Sequence, residues 1–204
     1  MRLGRVVLIL VSVGVLIGIA AGPALATKRI TEYPVPTANS DPLGIALGPD
    51  GNLWFTELVG NRIGRITTGG TITEYPVPTM ASFPDGIASG PEGNLWFTEE
   101  QGNKIGRITT GGAITEYPLP TTGSLPLGIA SGPDGNLWFT EYFGNRIGRI
   151  TTGGAISEYP VPTASSYPAG IALGPDKRVW FTEASGNKIG ALRPSATSPR
   201  TGPA

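Results

Sequence analysis

A 42-residue unit occurs four times in the chain without insertion or deletion, and this repeat limits the folds that the chain can adopt. Four tyrosines and four tryptophans recur at this interval: Tyr33, Tyr75, Tyr117 and Tyr159, and Trp54, Trp96, Trp138 and Trp180. We divide the repeat region into the units 30–71, 72–113, 114–155 and 156–197. A period of this length is typical of solenoids and β-propellers.

Each unit contains four short β-rich runs that are separated by turn residues, and none of them has helical periodicity. In the first unit these runs are 44–47, 53–57, 62–67 and 72–76, which we name strands A, B, C and D. Four antiparallel strands per unit predict one propeller blade. Strand D ends in Tyr-Pro-x-Pro, and because proline cannot donate to a sheet ladder, we expect strand D at the outer edge. The aromatic residues of strand B and the isoleucines of strand C are predicted to pack between blades.

The two ends of the repeat region are complementary. The region begins with a D-type run at 30–35 and finishes after a C-type run at 188–193. We therefore predict an all-β fold, a β-propeller built from four four-stranded blades. The run at 30–35 is predicted to be a strap that pairs with the last blade, either within one chain or swapped between two chains. A closed four-blade ring, an open arc and one half of a dimeric ring all stay open at this point.

The segment before the repeats has the pattern of a secretory signal. Two arginines precede an apolar run at 6–21, and a stretch of small residues then ends in Ala-Leu-Ala. We predict a signal peptide at 1–26 and a secreted or periplasmic protein, with an uncleaved signal anchor as the alternative. The propeller repeats then occupy 27–193, and the tail at 194–204, rich in proline, serine and alanine, is predicted to be disordered.

The composition excludes several classes of function. The chain contains no cysteine and no histidine, and its 15 Lys and Arg balance its 15 Asp and Glu. The missing residues exclude thiol nucleophiles, cysteine-based metal sites and the usual histidine-dependent hydrolases and zinc enzymes. The balanced charge gives no electrostatic reason to bind nucleic acid. The apolar run at 6–21 is short for a bilayer span, so we expect no stable membrane insertion after signal cleavage.

The repeat P-x-G-I-A-x-G-P-D-G-N-L-W-F-T-E, followed by G-N-x-I-G-R-I-T and I-T-E-Y-P-V-P-T, closely resembles that of the virginiamycin B lyase (streptogramin B lyase) family. NHL-type propellers are more distantly similar. The resemblance implies a propeller fold and, in the family, a seven-bladed enzyme that opens cyclic depsipeptide antibiotics by Mg²⁺-dependent elimination, using histidine and glutamate at the channel mouth. This chain has four units and no histidine. Where a family-type histidine often stands, before the Gly-Ile of strand A, the units carry Leu43, Asp85, Leu127 and Ala169.

Differences between the four units concentrate in the D–A loop and the B–C loop. The start of strand A and the end of strand B lie at the same end of an up-and-down blade, so both loops are predicted to share one rim. Several of these loop residues are apolar or aromatic, which predicts a binding surface. The alternative is that the loop positions vary freely and their aromatic side chains fold over their own blade. The predicted ligand-binding rim consists of Asp41, Leu43, Phe83, Asp85, Leu125, Leu127, Tyr142, Phe143 and Tyr167.

A glutamate ends strand B in every unit: Glu57, Glu99, Glu141 and Glu183. Four carboxylates around an axis could hold Mg²⁺ or Ca²⁺, which prefer oxygen ligands. The alternative is structural: each glutamate accepts backbone N–H bonds within its own B–C loop. We favour the structural role, because all units share the glutamate whatever residues their loops contain.

Three functions remain open from the sequence. The first is an exported binding or interaction module whose rim contacts a peptide, a glycan or a hydrophobic small molecule. The second is a lyase in which Asp85 or Glu99 acts as the base and Mg²⁺, the one cofactor implied, acts as the Lewis acid. The third is an extracellular structural repeat protein, including a homodimer that builds an eight-bladed ring. The missing histidine argues against the second function, and the apolar rim argues against the third.

Overall fold

The computed structural model describes residues 29–194, and the regular structure in this range is β apart from one short 3₁₀ turn at Pro91–Gly93. No helix within these residues is long and apolar enough to cross a membrane. The predicted signal peptide and the tail beyond residue 194 lie outside the described residues. The strands are β1 Pro42–Leu47, β2 Leu53–Glu57, β3 Arg62–Ile66, β4 Ile72–Pro76, β5 Pro84–Ser89, β6 Asn94–Glu99, β7 Lys104–Thr109, β8 Ile114–Pro118, β9 Pro126–Ser131, β10 Leu137–Glu141, β11 Arg146–Ile150, β12 Ile156–Pro160, β13 Pro168–Leu173, β14 Val179–Glu183 and β15 Lys188–Leu192.

The strands form four separate antiparallel sheets in chain order, which we name blades 1 to 4. Blades 1 to 3 have four strands each, β1–β4, β5–β8 and β9–β12, and blade 4 has three, β13–β15. The register is the same in successive blades: Trp54 lies opposite Arg65, and Trp96 lies opposite Arg107. The predicted division into A, B, C and D strands is therefore confirmed, with strand A starting two residues earlier than expected.

The hydrophobic core lies between consecutive blades, as the sequence predicts. Trp54 and Ile63 of blade 1 pack with Leu95 and Phe97 of blade 2, and equivalent clusters lie between blades 2 and 3 and between blades 3 and 4. We name the side of a blade that packs on the preceding blade its leading face, and the opposite side its trailing face. Because each buried apolar side chain contributes about 2 kcal/mol, neighbouring blades stabilise one another.

The turn between strands A and B holds the tryptophan of strand B in place. In blade 3 the carboxylate of Asp134 accepts hydrogen bonds from Trp138 Nε1 at 3.0 Å and from Arg149 Nε at 2.9 Å. Burial acts to raise the pKa of Asp134, but the hydrogen bonds from Trp138, Asn136 and Arg149 lower it below the ordinary value. The Asp-Gly sequence predicts only the turn, and the structure adds this second role.

The run at 30–35 forms no strand, and blade 4 has no fourth strand within the described residues. The prediction of a strap that closes a four-blade ring within one chain is therefore wrong, and the described blades form an open arc. A Cβ atom added at Gly70 of blade 1 would lie 2.2 Å from the Tyr33 ring, just as one at Gly112 of blade 2 would lie 2.1 Å from the Tyr75 ring. Each D segment packs on the blade that follows it in the chain, and for this segment that blade is blade 1.

Candidate functional site

The two variable loops lie side by side on one rim in all four blades. In blade 1 the backbone N–H of Leu58 donates to the carbonyl of Asp41 at 3.0 Å, and that of Val59 donates to the carbonyl of Ser40 at 3.1 Å. The same bonds join the B–C loop to the D–A loop in the other blades. The shared rim that the strand order predicts is therefore present, and backbone hydrogen bonds hold it together.

The D–A loop contains two residues with left-handed backbone in every blade. Their φ angles lie between 50° and 64°, and the residues are Asn39, Asp41, Ala81, Phe83, Gly123, Leu125, Ser165 and Tyr167. Asparagine, aspartate and glycine tolerate this conformation, whereas a bulky side chain there costs about 1 kcal/mol or more. The phenylalanine, leucine and tyrosine at the second position are therefore not explained by local stability. The only signal of this backbone in the sequence is the Asn, Asp or Gly at equivalent positions in blades 1 and 3.

Three aromatic side chains form a cluster on the rim between blades 3 and 4. The rings of Tyr142 and Tyr167 stack with centroids 4.9 Å apart, and Phe143 contacts them edge-on at 5.2 Å and 6.0 Å. Phe143 is 60% exposed, and the two tyrosines are half-buried. We name these three residues the aromatic cluster. It offers an apolar surface with two phenol hydroxyls, which suits an amphipathic ligand.

The other predicted rim residues are spread over the arc. Asp41 is exposed, while Phe83, Leu125 and Leu127 are half-buried in the loops and first strands of their own blades. Leu43 lies away from the aromatic cluster, in an apolar groove on the leading face of blade 1. Burial, reinforced by the nearby charge of Glu100, raises the pKa of the half-buried Asp85 carboxyl.

The glutamates that end strand B are buried beneath the rim. No donor forms a hydrogen bond of good geometry with either carboxyl oxygen of Glu57, Glu99 or Glu141 among the described residues, although Ser40, Ser82 and Ser124 lie close enough to lower the pKa of these groups. The backbone N–H groups of the B–C loops bond instead to carbonyls of the D–A loops, so the predicted capping role of the glutamates is wrong. Burial and the nearby charge of a strand D glutamate raise the pKa of Glu57 and Glu141 to about 7 and that of Glu99 to about 8.

The structure does not gather these glutamates around a common centre. Within residues 29–194, no three carboxylate residues lie close enough together to hold one metal ion. The neighbours that affect the pKa of Glu99 are Glu116, Lys104 and Ser82 rather than another strand B glutamate. A Cβ atom added at Gly102 would lie 2.8 Å from Glu99 Oε2, so the B–C loop covers this carboxyl.

Comparison with known proteins identifies the family to which this fold belongs. The sequence model of the virginiamycin B lyase family matches residues 21–199. A catalytically inactive His-to-Ala variant of virginiamycin B lyase from Staphylococcus aureus, in a crystal structure with quinupristin, is 50% identical with a TM-score of 0.80. That alignment covers 82% of this chain and 57% of the relative. A streptogramin B lyase structure is 48% identical with a TM-score of 0.74, over 81% of this chain and 58% of the other.

The comparisons also show how much of the relatives this chain represents. A virginiamycin B lyase from Bacillus licheniformis is 52% identical over 42 residues, which are 21% of this chain and 14% of that protein. This aligned length equals one repeat unit. The chain thus spans less than two thirds of each of these relatives. Because the family model extends over most of the sequence, the chain belongs to the virginiamycin B lyase family.

Proposed function

We propose that the rim of the arc binds a peptide, a glycan or a hydrophobic small molecule, with the aromatic cluster at the centre of the site. The supporting observation is the cluster itself, in which Tyr142, Phe143 and Tyr167 meet at the rim although Phe143 stays largely exposed. Tyr167 holds a left-handed backbone that disfavours a bulky residue. An exposed aromatic ring beside an aromatic residue on a costly backbone is better explained by contact with a ligand than by folding.

The missing histidine supports binding more strongly than catalysis. The Staphylococcus aureus relative in which a histidine is replaced by alanine is described as catalytically inactive, and its structure is described with quinupristin. This chain has no histidine anywhere in its 204 residues. A propeller that lacks this group and keeps an apolar rim is therefore proposed to act as a binding module.

The test is a binding measurement on a matched pair of variants. Quinupristin is the first probe in isothermal titration calorimetry, followed by peptide and glycan arrays. We expect Tyr142→Ala combined with Phe143→Ala to weaken binding at least about tenfold, since each lost aromatic contact contributes about 1 kcal/mol. The control combines Leu58→Ala with Val59→Ala at the equivalent positions of blade 1, and it should retain binding.

The outcome that contradicts this proposal is clear from two readouts. Binding and melting temperature falling together in the blade 3 variant would make the aromatic residues part of the fold. Absence of any binding that depends on the aromatic cluster, across all three ligand classes, would also refute the proposal. A second variant separates the two roles: Tyr167→Asn should weaken binding and change the free energy of unfolding by less than about 1 kcal/mol, because relief of the left-handed backbone offsets the lost stacking on Tyr142.

A lyase remains the second candidate, because the family match and the raised pKa of Asp85 both favour it. A carboxylate with a raised pKa is a better base, and Asp85 stands where the family-type histidine is expected. Mg²⁺ would supply the Lewis acid in this reaction. Chromatography with mass detection of quinupristin incubated with Mg²⁺ or with EDTA tests it, since elimination yields a product of unchanged mass and hydrolysis adds one water. An equal-mass product that disappears with Asp85→Asn would establish the lyase.

We also propose that the protein is exported, on the basis of the signal pattern at 1–26. N-terminal sequencing of the protein recovered from the periplasm or medium should begin at Thr27. Retention of the full-length chain in the membrane fraction would instead support an uncleaved signal anchor. Export without any ligand would favour the third function, an extracellular structural repeat protein.

A further inference from the structure

No described residue covers the trailing face of blade 4, whereas the next blade covers each of the other trailing faces. Ile189 is 64% exposed, whereas its equivalents Ile63, Ile105 and Ile147 are buried against the next blade. In blades 1 to 3 the tryptophan of strand B stacks on a tyrosine of strand D, with centroids 5.5 to 5.6 Å apart. Trp180 has no stacked tyrosine among the described residues, and with Ile189 it lines an apolar groove of about 270 Å³. This face is one half of an inter-blade interface.

The leading face of blade 1 is the other half of the same interface. Ile45 is 63% exposed, and Leu53 is 41% exposed, whereas the equivalent Ile87 and Leu95 of blade 2 are buried. Ile45 and Tyr33 line an apolar groove of about 290 Å³ on this face. Tyr33 has no ring partner within residues 29–194, although its equivalents in the later units each stack on a tryptophan.

The polar groups of the two faces match as well. At each internal interface a strand B threonine donates to a carbonyl of the next blade, as Thr56 does to Asp85 and Thr140 does to Ala169, at 2.6 and 2.7 Å. Within residues 29–194, Thr182 of blade 4 has no such carbonyl opposite it, and Leu43 of blade 1 carries the equivalent carbonyl. Among the described strands, none pairs with the outer edge of β15, which corresponds to the edge of β3 that pairs with β4 in blade 1.

We infer that two copies of this chain join head to tail, the trailing face of blade 4 of each copy packing on the leading face of blade 1 of the other. In each contact Tyr33 of one copy stacks on Trp180 of the other, and Thr182 donates to the carbonyl of Leu43. The D-type segment at 30–35 adds to the free edge of β15 and completes blade 4 with its fourth strand. Two such contacts close a ring of eight blades, which is within the size range of propellers.

The experiment measures the molar mass of the full chain in solution by size-exclusion chromatography with light scattering. We expect twice the mass of one chain for the wild type. Ile45→Lys and Ile189→Glu each place a charge on a face that is exposed in the single chain, so neither should prevent folding, and each alone should yield the mass of one chain. Met80→Lys is the control, since Met80 is an exposed apolar side chain of a D–A loop and lies on neither face; it should retain the doubled mass.

Mixing the two charged variants sharpens the test. A mixed pair has one wild-type contact and one contact in which the introduced lysine faces the introduced glutamate, so the mixture should regain the doubled mass. A wild-type mass of one chain at all concentrations would overturn the inference, and so would a doubled mass that survives Ile45→Lys. A ladder of larger species that lengthens with concentration would also overturn it, because it would mean that the contact does not close.

Discussion

Replacing Glu92 by aspartate should stabilise the protein, and the structure explains why. Glu92 occupies the turn position at which blade 3 has Asp134, the acceptor for its tryptophan and arginine. In blade 2 the equivalent donors, Trp96 Nε1 and Arg107 Nε, are buried without a hydrogen-bond partner. The backbone of Glu92 is also left-handed, with φ of 62°, which is absent at Asp134. The shorter side chain would let this turn adopt the conformation seen in blade 3.

The expected gain in stability follows from the two unpaired donors, Trp96 Nε1 and Arg107 Nε. A hydrogen bond from a buried indole N–H to a carboxylate contributes about 1.5 kcal/mol or more, since the buried donor otherwise stays unsatisfied. The half-exposed pair with Arg107 adds at most about 1 kcal/mol. Allowing for overlap between these effects, we expect Glu92→Asp to raise the free energy of unfolding by about 2 kcal/mol, which corresponds to about 5 °C in melting temperature for a chain of this size.

Differential scanning calorimetry gives the melting temperature, and hydrogen exchange of the Trp96 indole proton reports on the new bond. We expect a higher melting temperature together with slower exchange. Asp134→Glu is the matched control, and it should lower the melting temperature by a similar amount because it removes the bonds to Trp138 and Arg149. An unchanged or lower melting temperature in Glu92→Asp, with the indole proton still exchanging freely, would refute the reasoning.

Two further predictions concern the buried residues. Burial and the charge of a neighbouring glutamate raise the pKa of Glu99 to about 8. Between pH 4.5 and pH 8 the folded chain therefore binds more protons than the unfolded chain, and its free energy of unfolding should fall as the pH rises. Each pH unit in this range lowers that free energy by at most about 1.4 kcal/mol. Glu99→Gln should flatten this decline in melting temperature measured against pH, whereas Glu100→Gln in the adjacent loop should retain it; identical slopes would contradict the assignment. Gly106→Ala should lower the free energy of unfolding, measured by denaturant titration, by about 3 kcal/mol, because its Cβ would lie 2.1 Å from the Phe97 ring. Gly111→Ala is the control: its nearest contact would be at 3.7 Å, so it should lower this free energy by less than about 1 kcal/mol.

Much of the blade could be predicted because its determinants are local and repeated. The tyrosine-proline ends and the glycine-rich turns mark the strand limits within each unit, and strands B and D of blade 1 begin and end at the predicted residues. The shared rim also follows from strand order alone, since antiparallel neighbours place the start of strand A beside the end of strand B. The family resemblance rests on the same repeated residues, and the family match confirms it.

The contents of the site depend on how successive blades pack, and no local pattern encodes that. The sequence marks Tyr142, Phe143 and Tyr167 as unusual loop residues, but only the packing of blade 4 on blade 3 brings the three rings together. It also marks Glu99 as a repeated carboxylate, but its burial without a partner depends on the loops that fold over it.

The D-type segment at 30–35 also shows the difference between what local sequence predicts and what packing between blades decides. Its sequence determines that it resembles a fourth strand, because the residues of an edge strand recur at a fixed interval. Whether it meets blade 4 depends on the angle accumulated across four blades, and each blade is set by its contacts with its neighbours. The tertiary structure instead places Tyr33 on blade 1, next to the blade that follows it in the chain. Sequence determined the unit, and packing between units decided which surfaces stay open.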